Sequence, residues 1–191
     1  MANRNSAGFG LRPEGTLGST PATGGQGKYY IVANYATRLY NGTTVKQSGG
    51  YIITAQAAIT NTSIGVLNGI FYNAATTLKP TWANGYLTAI TPANSEDTTA
   101  FVLDNPFQLF EIATDDAITQ AQHMQTFNLN AVAGSTTTEQ SSNTLDINSE
   151  HATNYSWRVV RLAEDPSNSD ITQAYCSVIV QSNLNEFLRK L

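Results

Sequence analysis

The chain has 191 residues, only 13% of them charged, with a net charge of −4 and a pI near 5.0. Small polar residues take the place of charge, with 25 Thr, 18 Asn and 14 Ser, a composition that suits strands and turns. These features exclude a helical bundle and a coiled coil, and they argue against nucleic-acid binding. No apolar run approaches the roughly 18 residues that a membrane-spanning helix needs.

The N-terminal segment differs in composition from the rest of the chain. Residues 1–28 hold seven of the 14 glycines, and their only large apolar residues before the first tyrosine are Phe9, Leu11 and Leu17. We therefore predict an extended arm over residues 1–28 and a single β domain over residues 29–191. Fully extended at about 3.3 Å per residue, the arm would span roughly 90 Å. It cannot build a core of its own, so we expect it to become ordered on the surface of a partner.

From Tyr29 onward the chain consists of short β-rich runs separated by turn residues such as Asn41-Gly42 and Gly49-Gly50. Ten strands are predicted, at 29–33, 43–47, 51–55, 64–73, 98–103, 109–114, 127–132, 144–147, 155–163 and 174–182. Many short strands with turn signals between them are typical of a β-barrel or β-sandwich. Short helices are predicted at 115–124 and 183–191. The run 155–163 is apolar on parts of both faces, which indicates a central strand.

Apolar alternation in the last two strands identifies a candidate core. We expect the following side chains to be buried: Trp157, Val159, Tyr175, Val178 and Val180. The single cysteine, Cys176, cannot form an internal disulfide. It lies in an apolar run with no base nearby in sequence, so we interpret it as a buried core residue rather than a reactive thiol.

Motifs that carry enzyme chemistry are missing from the sequence. The stretch from Ala22 to Tyr29 contains Gly27-Lys28, but it lacks the first glycine and the final hydroxyl of a phosphate-binding loop. One cysteine and two histidines without a ligand motif do not predict a metal site. We therefore predict no catalytic residues, no cofactor and no metal, and a protein that is not an enzyme. One alternative is a carbohydrate-binding module or glycosidase that uses Trp82, Tyr86 and nearby acids.

Charge is distributed unevenly along the chain. Residues 1–80 carry six basic residues and one acidic residue, whereas residues 81–191 carry four basic and thirteen acidic residues. Such asymmetry indicates a partner surface for one half, although acidic loops that keep the protein soluble would give the same pattern. Arginine suits carboxylate recognition because its planar fork can bind both oxygens. Arg12, flanked by Leu11 and Pro13, is the arginine that we expect to be buried.

Several motifs, in the same order along the chain, resemble those of the head decoration (cement) proteins of tailed bacteriophages, especially phages of marine bacteria and cyanobacteria. The matching segments are Phe9-Gly10-Leu11-Arg12-Pro13, Tyr29-Tyr30-Ile31, 35–45, 64–72, Ala100-Phe101-Val102-Leu103-Asp104-Asn105-Pro106 and Leu109-Phe110-Glu111-Ile112. The resemblance extends from the N-terminal segment to residue 182. The chain departs from the family at Asn41-Gly42-Thr43-Thr44, where the family often has an acidic residue before a proline.

The resemblance implies a structural virion protein that is made in the host cytoplasm and binds the outside of the capsid. Such a protein cements neighbouring capsid subunits against the pressure of packaged DNA. The implied partners are the major capsid protein and further copies of the chain, with a trimer favoured over a dimer, and neither nucleic acid nor a membrane. From charge and apolar character, we expect the contacts with capsid or protomer to be made by Arg4, Phe9, Leu11, Arg12, Leu17, Lys28 and Arg38. The alternatives are a low-copy head-completion or tail protein and, as above, a carbohydrate-binding module.

Overall fold

The computed structural model describes residues 3–18, 25–55, 62–88 and 90–188. These residues form twelve strands in chain order: β1 (Arg12–Thr16), β2 (Gly27–Ile31), β3 (Thr44–Ser48), β4 (Tyr51–Thr54), β5 (Gly65–Asn73), β6 (Pro80–Ala83), β7 (Thr98–Leu103), β8 (Gln108–Ala113), β9 (Thr126–Asn130), β10 (Thr144–His151), β11 (Trp157–Leu162) and β12 (Ser177–Ser182). All strand pairings within the sheets are antiparallel. The mainly β architecture predicted from the sequence is confirmed.

The strands form two sheets in a sandwich-like arrangement rather than a closed barrel. The first sheet has the order β1-β8-β12-β11-β9-β10, and the second has the order β2-β7-β5-β3-β4, with β6 paired to β5. The helical segments in the described residues are single 3-10 turns at Ala93–Ser95 and Gln120–Gln122. No helix within the described ranges is long and apolar enough to cross a membrane.

The core of the first sheet contains most of the predicted core residues. Trp157 is 1% exposed and packs edge-on against Phe110, with ring centroids 5.6 Å apart. Val159, Val178 and Val180 are also buried in this cluster, and β11 lies between β12 and β9 as its two-faced apolar pattern predicted. Tyr175 is the exception, because it lies in a turn with a φ of 60° and is only partly buried.

The second sheet has its own apolar core and meets the first at one end of β5 and β7. Leu67 and Ile70 point into the second core. The pairing of β5 with β7 shifts register between Leu67 and Gly69, and such a bulge re-aims the side chains that follow it. Val66 and Leu103, which are opposite each other in the ladder, belong to the core of the first sheet instead. These two side chains join the sheets.

The described part of the N-terminal segment lies on the same chain rather than on a partner. The backbone N–H groups of Gly10 and Leu11 donate to the carbonyls of Asn143 and Gly42, at 3.1 and 3.0 Å. β1 pairs with β8. Gly8 approaches the backbone at Ser142 so closely that a Cβ would overlap it. The expectation that this segment needs a partner's surface is therefore wrong for residues 3–18, while residues 19–24 lie outside the described residues.

The two predicted helices are absent from the described residues because their backbone groups bond across the chain instead. The N–H groups of Ile118 and Met124 donate to the carbonyls of Ile171 and Val159, both at 2.9 Å. The Asp115 carboxylate accepts a bond from the N–H of Ile147 at 2.9 Å. Only the 3-10 turn at Gln120–Gln122 remains of the first helix. Residues 183–188 form a bend, a bridge and a turn, and residues 189–191 lie outside the described residues.

Candidate functional site

The structure separates the seven predicted contact residues into four places. Arg4, Phe9, Arg12 and Leu17 lie along the N-terminal segment, Leu11 lies in the core, Lys28 lies on β2 and Arg38 lies in the connection between β2 and β3. Leu11 is only 1% exposed and packs with the apolar side chains of the first sheet. Leu11 therefore anchors the segment to its own domain, and its role as a contact residue stays a prediction that the candidate surface below does not use.

Three exposed side chains of the N-terminal segment and the half-buried Phe9 form a first candidate surface together with Phe107. We call Arg4, Phe9, Arg12, Leu17 and Phe107 the N-terminal strip. Arg12 is exposed in the single chain, so its expected burial at a contact with a partner stays a prediction. Its guanidinium lies over the Phe9 ring, 4.0 Å from the centroid. Such a contact between a cation and an aromatic face holds the guanidinium in place and leaves its N–H groups able to meet a carboxylate.

The other end of the N-terminal strip is apolar. The N–H of Leu17 donates to the carbonyl of Phe107 at 3.0 Å, which brings these two residues together. Phe107 is 52% exposed and Leu17 is 41% exposed. The N–H of Phe107 in turn donates to the Asn105 side chain at 2.9 Å. An exposed aromatic ring on a fixed backbone is a favourable anchor for a protein interface, because little conformational freedom is lost when it is covered.

Arg4 has an acidic neighbour within the chain. The pKa of Asp165 lies below its usual range because the N–H of Ser167 and the side chain of Asn168 donate to its carboxylate; the nearby charge of Arg4 adds a smaller contribution. The N–H of Arg4 also donates to the carbonyl of Ser167 at 3.0 Å. Arg4 therefore helps to attach the N-terminal segment to its own domain, and its side chain is also exposed as part of the N-terminal strip.

β1 is an edge strand of the first sheet, but it is protected against pairing with a further strand. Pro13 lacks an N–H, and the register shifts between Pro13 and Gly15. Glu14 forms an ion pair with Arg161 at 3.1 Å. Proline, bulges and charges at an edge discourage strand addition. A partner of this edge would therefore be bound by side chains of the N-terminal strip rather than by a continuous ladder.

A second candidate surface lies on the second sheet and was not recognised in the sequence. Tyr30 of β2 is opposite Thr99 of β7, Thr99 is opposite Phe71 of β5, and Phe71 is opposite Trp82 of β6. Directly opposed residues share a face of the sheet. Phe101 lies on the same face, 5.3 Å from Trp82 between ring centroids. We call Tyr30, Phe71, Trp82 and Phe101 the aromatic row.

Trp82 is held in place although it is exposed. Its ring lies against Gly69, where a Cβ would overlap the indole, and its other neighbour is the Phe101 ring. It is nevertheless 51% exposed. Lys28, one of the predicted contact residues, lies near the far end of the row with its Nζ 5.5 Å from the centre of the Tyr30 ring. The row thus presents exposed aromatic surface, with Trp82 held by its neighbours at one end and a cation near the other.

A polar cleft of about 330 Å³ adjoins the Trp82 end of the aromatic row. Its lining residues are Trp82, Ala83, Asn84, Thr137, Thr138 and Glu139. The Glu139 carboxylate accepts a bond from the N–H of Gly85 at 3.1 Å, and the Glu139 carbonyl accepts one from the N–H of Asn41 at 2.9 Å. These bonds fix the loop that carries the cleft. Tyr86, predicted to share a sugar site with Trp82, is 1% exposed and is excluded from this surface.

A second cavity, of about 270 Å³, lies beneath the N-terminal segment. Its lining residues are Ala7, Gly8, Asp115, Asn130, Val132, Ser142, Thr144 and Tyr175. Burial raises the pKa of Asp115, a shift that the hydrogen bond from Ile147 opposes and the charge of Asp146 reinforces. A single carboxyl group without a histidine or cysteine beside it does not form a nucleophile–base pair. Among the described residues, no group of three or more His, Cys, Asp or Glu side chains is placed to hold a metal ion.

Comparisons with protein-family models, with curated proteins and with solved structures found no match to this chain.

Proposed function

We propose that the protein is a head decoration protein of a tailed bacteriophage, which binds the outer surface of the capsid and cements neighbouring capsid subunits. The ordered motifs that resemble this family support the proposal. The N-terminal strip is the structural observation that carries it. This strip combines an oriented arginine with exposed aromatic and aliphatic side chains on the edge of a rigid sheet.

The strip favours a partner of particular chemistry. Arg12 fits a carboxylate, and Leu17 and Phe107 fit an apolar depression. Glu111 on β8 lies directly opposite Arg12. A capsid carboxylate would therefore compete with the Glu111 carboxylate for the Arg12 guanidinium. Exposed ion pairs contribute only about 0–1 kcal/mol. We therefore expect the aromatic anchor Phe107 to contribute more affinity than Arg12.

Titration of purified variants onto undecorated capsid shells tests this role. Phe107→Ala should weaken binding by about tenfold or more, the typical effect of truncating an aromatic anchor at an interface. Trp82→Ala is a matched control, because Trp82 is 51% exposed and Phe107 is 52% exposed, and it should bind shells like the unchanged protein. Equal affinity of the Phe107→Ala variant and the unchanged protein would contradict the role of the strip.

The expected homo-oligomer, with a trimer favoured over a dimer, is part of the same proposal. Sedimentation equilibrium of the free protein tests this expectation. If the protein is a monomer at all concentrations, it does not form a trimer or dimer in solution, and copies would associate only on the capsid surface. The alternative role as a low-copy head-completion or tail protein uses the same kind of interface. Copy number on the particle separates the two roles.

A further inference from the structure

We propose that the aromatic row and the adjoining polar cleft form a binding site for a neutral hexose oligosaccharide. This inference does not rest on the capsid proposal, because none of its side chains belongs to the N-terminal strip. It starts from the observation that Trp82 belongs to both features. Trp82 lines the cleft and also begins the row that crosses β6, β5, β7 and β2.

The spacing of the row fits a chain of sugar rings. Neighbouring strands lie about 4.8 Å apart, so the three steps from Trp82 to Tyr30 span roughly 14 Å. One strand step is close to the repeat of successive rings in an extended hexose oligosaccharide. Phe71 and Tyr30 carry exposed rings at two of these steps, and Thr99 places a hydroxyl between them. The row can therefore meet several consecutive sugar units.

The chemistry of the row and cleft matches the two kinds of surface on a sugar. The face of an aromatic ring carries negative partial charge, which attracts the polarised C–H groups on the apolar face of a hexose. Asn84, Thr137 and Thr138 in the cleft supply neutral donors and acceptors for hydroxyl groups. A protein partner that covered only the aromatic row would leave this polar cleft outside the contact. A glycan uses both.

The site is already formed in the unbound chain. Gly69 and Phe101 support the indole from behind and beside it. The cleft loop is fixed by the bonds from Gly85 and Asn41 to Glu139, whose backbone is left-handed with a φ of 58°. Backbone conformations of this kind persist where the surrounding structure holds them, and they are concentrated at ligand sites. A preformed site binds without the cost of ordering its own side chains.

The arrangement indicates binding rather than hydrolysis. Most glycoside hydrolases use two carboxyl groups, one on either side of the scissile bond. Among the lining residues of the cleft, Glu139 is the single acid, and its carboxylate already accepts a bond from the N–H of Gly85. We therefore expect the oligosaccharide to be retained intact.

Three glucose hexasaccharides serve as probes: cellohexaose, laminarihexaose and maltohexaose, which differ in linkage. The chain has two tryptophans, and Trp157 is buried at 1% exposure, so a ligand-induced blue shift of the emission would report on Trp82. At least one probe should give a saturable shift. By titration calorimetry, Trp82→Ala should weaken the binding of that probe by tenfold or more, and Thr138→Ala should weaken it to a smaller extent.

Two controls keep the proposal distinct from misfolding and from the capsid role. Thr138→Ala should keep the thermal unfolding midpoint of the unchanged protein, because its side chain is exposed. Trp82→Ala loses the contacts of the indole with Gly69 and Phe101, so it should unfold at a lower temperature but still in one cooperative transition, well above the temperature of the binding assay. Phe107→Ala should bind the probe unchanged while losing affinity for capsid shells. The absence of binding to all three hexasaccharides would overturn the proposal, as would a Trp82→Ala variant that binds as tightly as the unchanged protein. Loss of shell binding by Trp82→Ala would assign the row to a protein partner and overturn it as well.

Discussion

At the scale of single residues, Cys176 shows how burial determines reactivity. It is fully buried in the core of the first sheet. Burial, together with the nearby charge of Asp170, raises the pKa of its thiol to about 11. The thiolate is the reactive form, so the native side chain is nearly all unreactive thiol at neutral pH. This agrees with the interpretation of Cys176 as a core residue.

Thiol labelling tests that conclusion. At pH 8 the native protein should react with Ellman's reagent only slowly, at the rate at which the core opens. After unfolding in guanidinium, one thiol per chain should react at once, because the pKa then returns to its ordinary value near 8.5. Stoichiometric labelling of the native protein at the rate of the unfolded chain would show that Cys176 is accessible.

Trp82 and Phe107 could not be assigned from residue types alone. Both are aromatic residues in short polar contexts, and the sequence does not show which face of a sheet they occupy. Their exposure depends on cross-strand register and on close backbone approaches, such as that of Trp82 to Gly69. Tyr86 shows the converse, because it resembles Trp82 in context but is buried against Leu39 through a two-way backbone bridge.

At the scale of elements, all ten predicted strands correspond to strands of the structure, because alternation and turn residues are local signals. β1 and β6 were not predicted. β1 has the sequence RPEGT and β6 has PTWA, and proline and glycine disfavour a strand on propensity alone. Each forms on an existing edge, β8 for β1 and β5 for β6. Pairing with a neighbouring strand therefore stabilises β1 and β6, which their local sequences alone do not predict.

The N-terminal segment gives a prediction at this scale. Leu11→Ala should lower the free energy of unfolding by about 2–5 kcal/mol, the range for removing a buried leucine side chain. Leu17→Ala, in the same segment but 41% exposed, should change it by less than about 0.5 kcal/mol. Urea denaturation of both variants provides the comparison. Equal, small effects would mean that the segment does not depend on Leu11 for its attachment to the domain.

At the scale of the whole molecule, the two candidate surfaces differ in character. The N-terminal strip combines cationic and apolar groups on the edge of the first sheet, whereas the aromatic row is a continuous ring surface on the second. The charge asymmetry of the sequence pointed to a partner for the basic half. The charge asymmetry did not locate the aromatic row. The residues of the row lie on strands that are far apart in the sequence, such as β2 (residues 27–31) and β7 (residues 98–103), and come together only in the folded sheet.

The central claim is that this protein decorates a capsid lattice at high copy number. A capsid repeats each binding site many times by symmetry. The most direct test is to saturate undecorated shells with the protein, remove the excess and count bound copies by quantitative gel densitometry against the major capsid protein. We predict on the order of hundreds of copies per shell, because every symmetry-related site would be filled. A plateau at a few copies, or the absence of binding at saturating concentration, would contradict the claim.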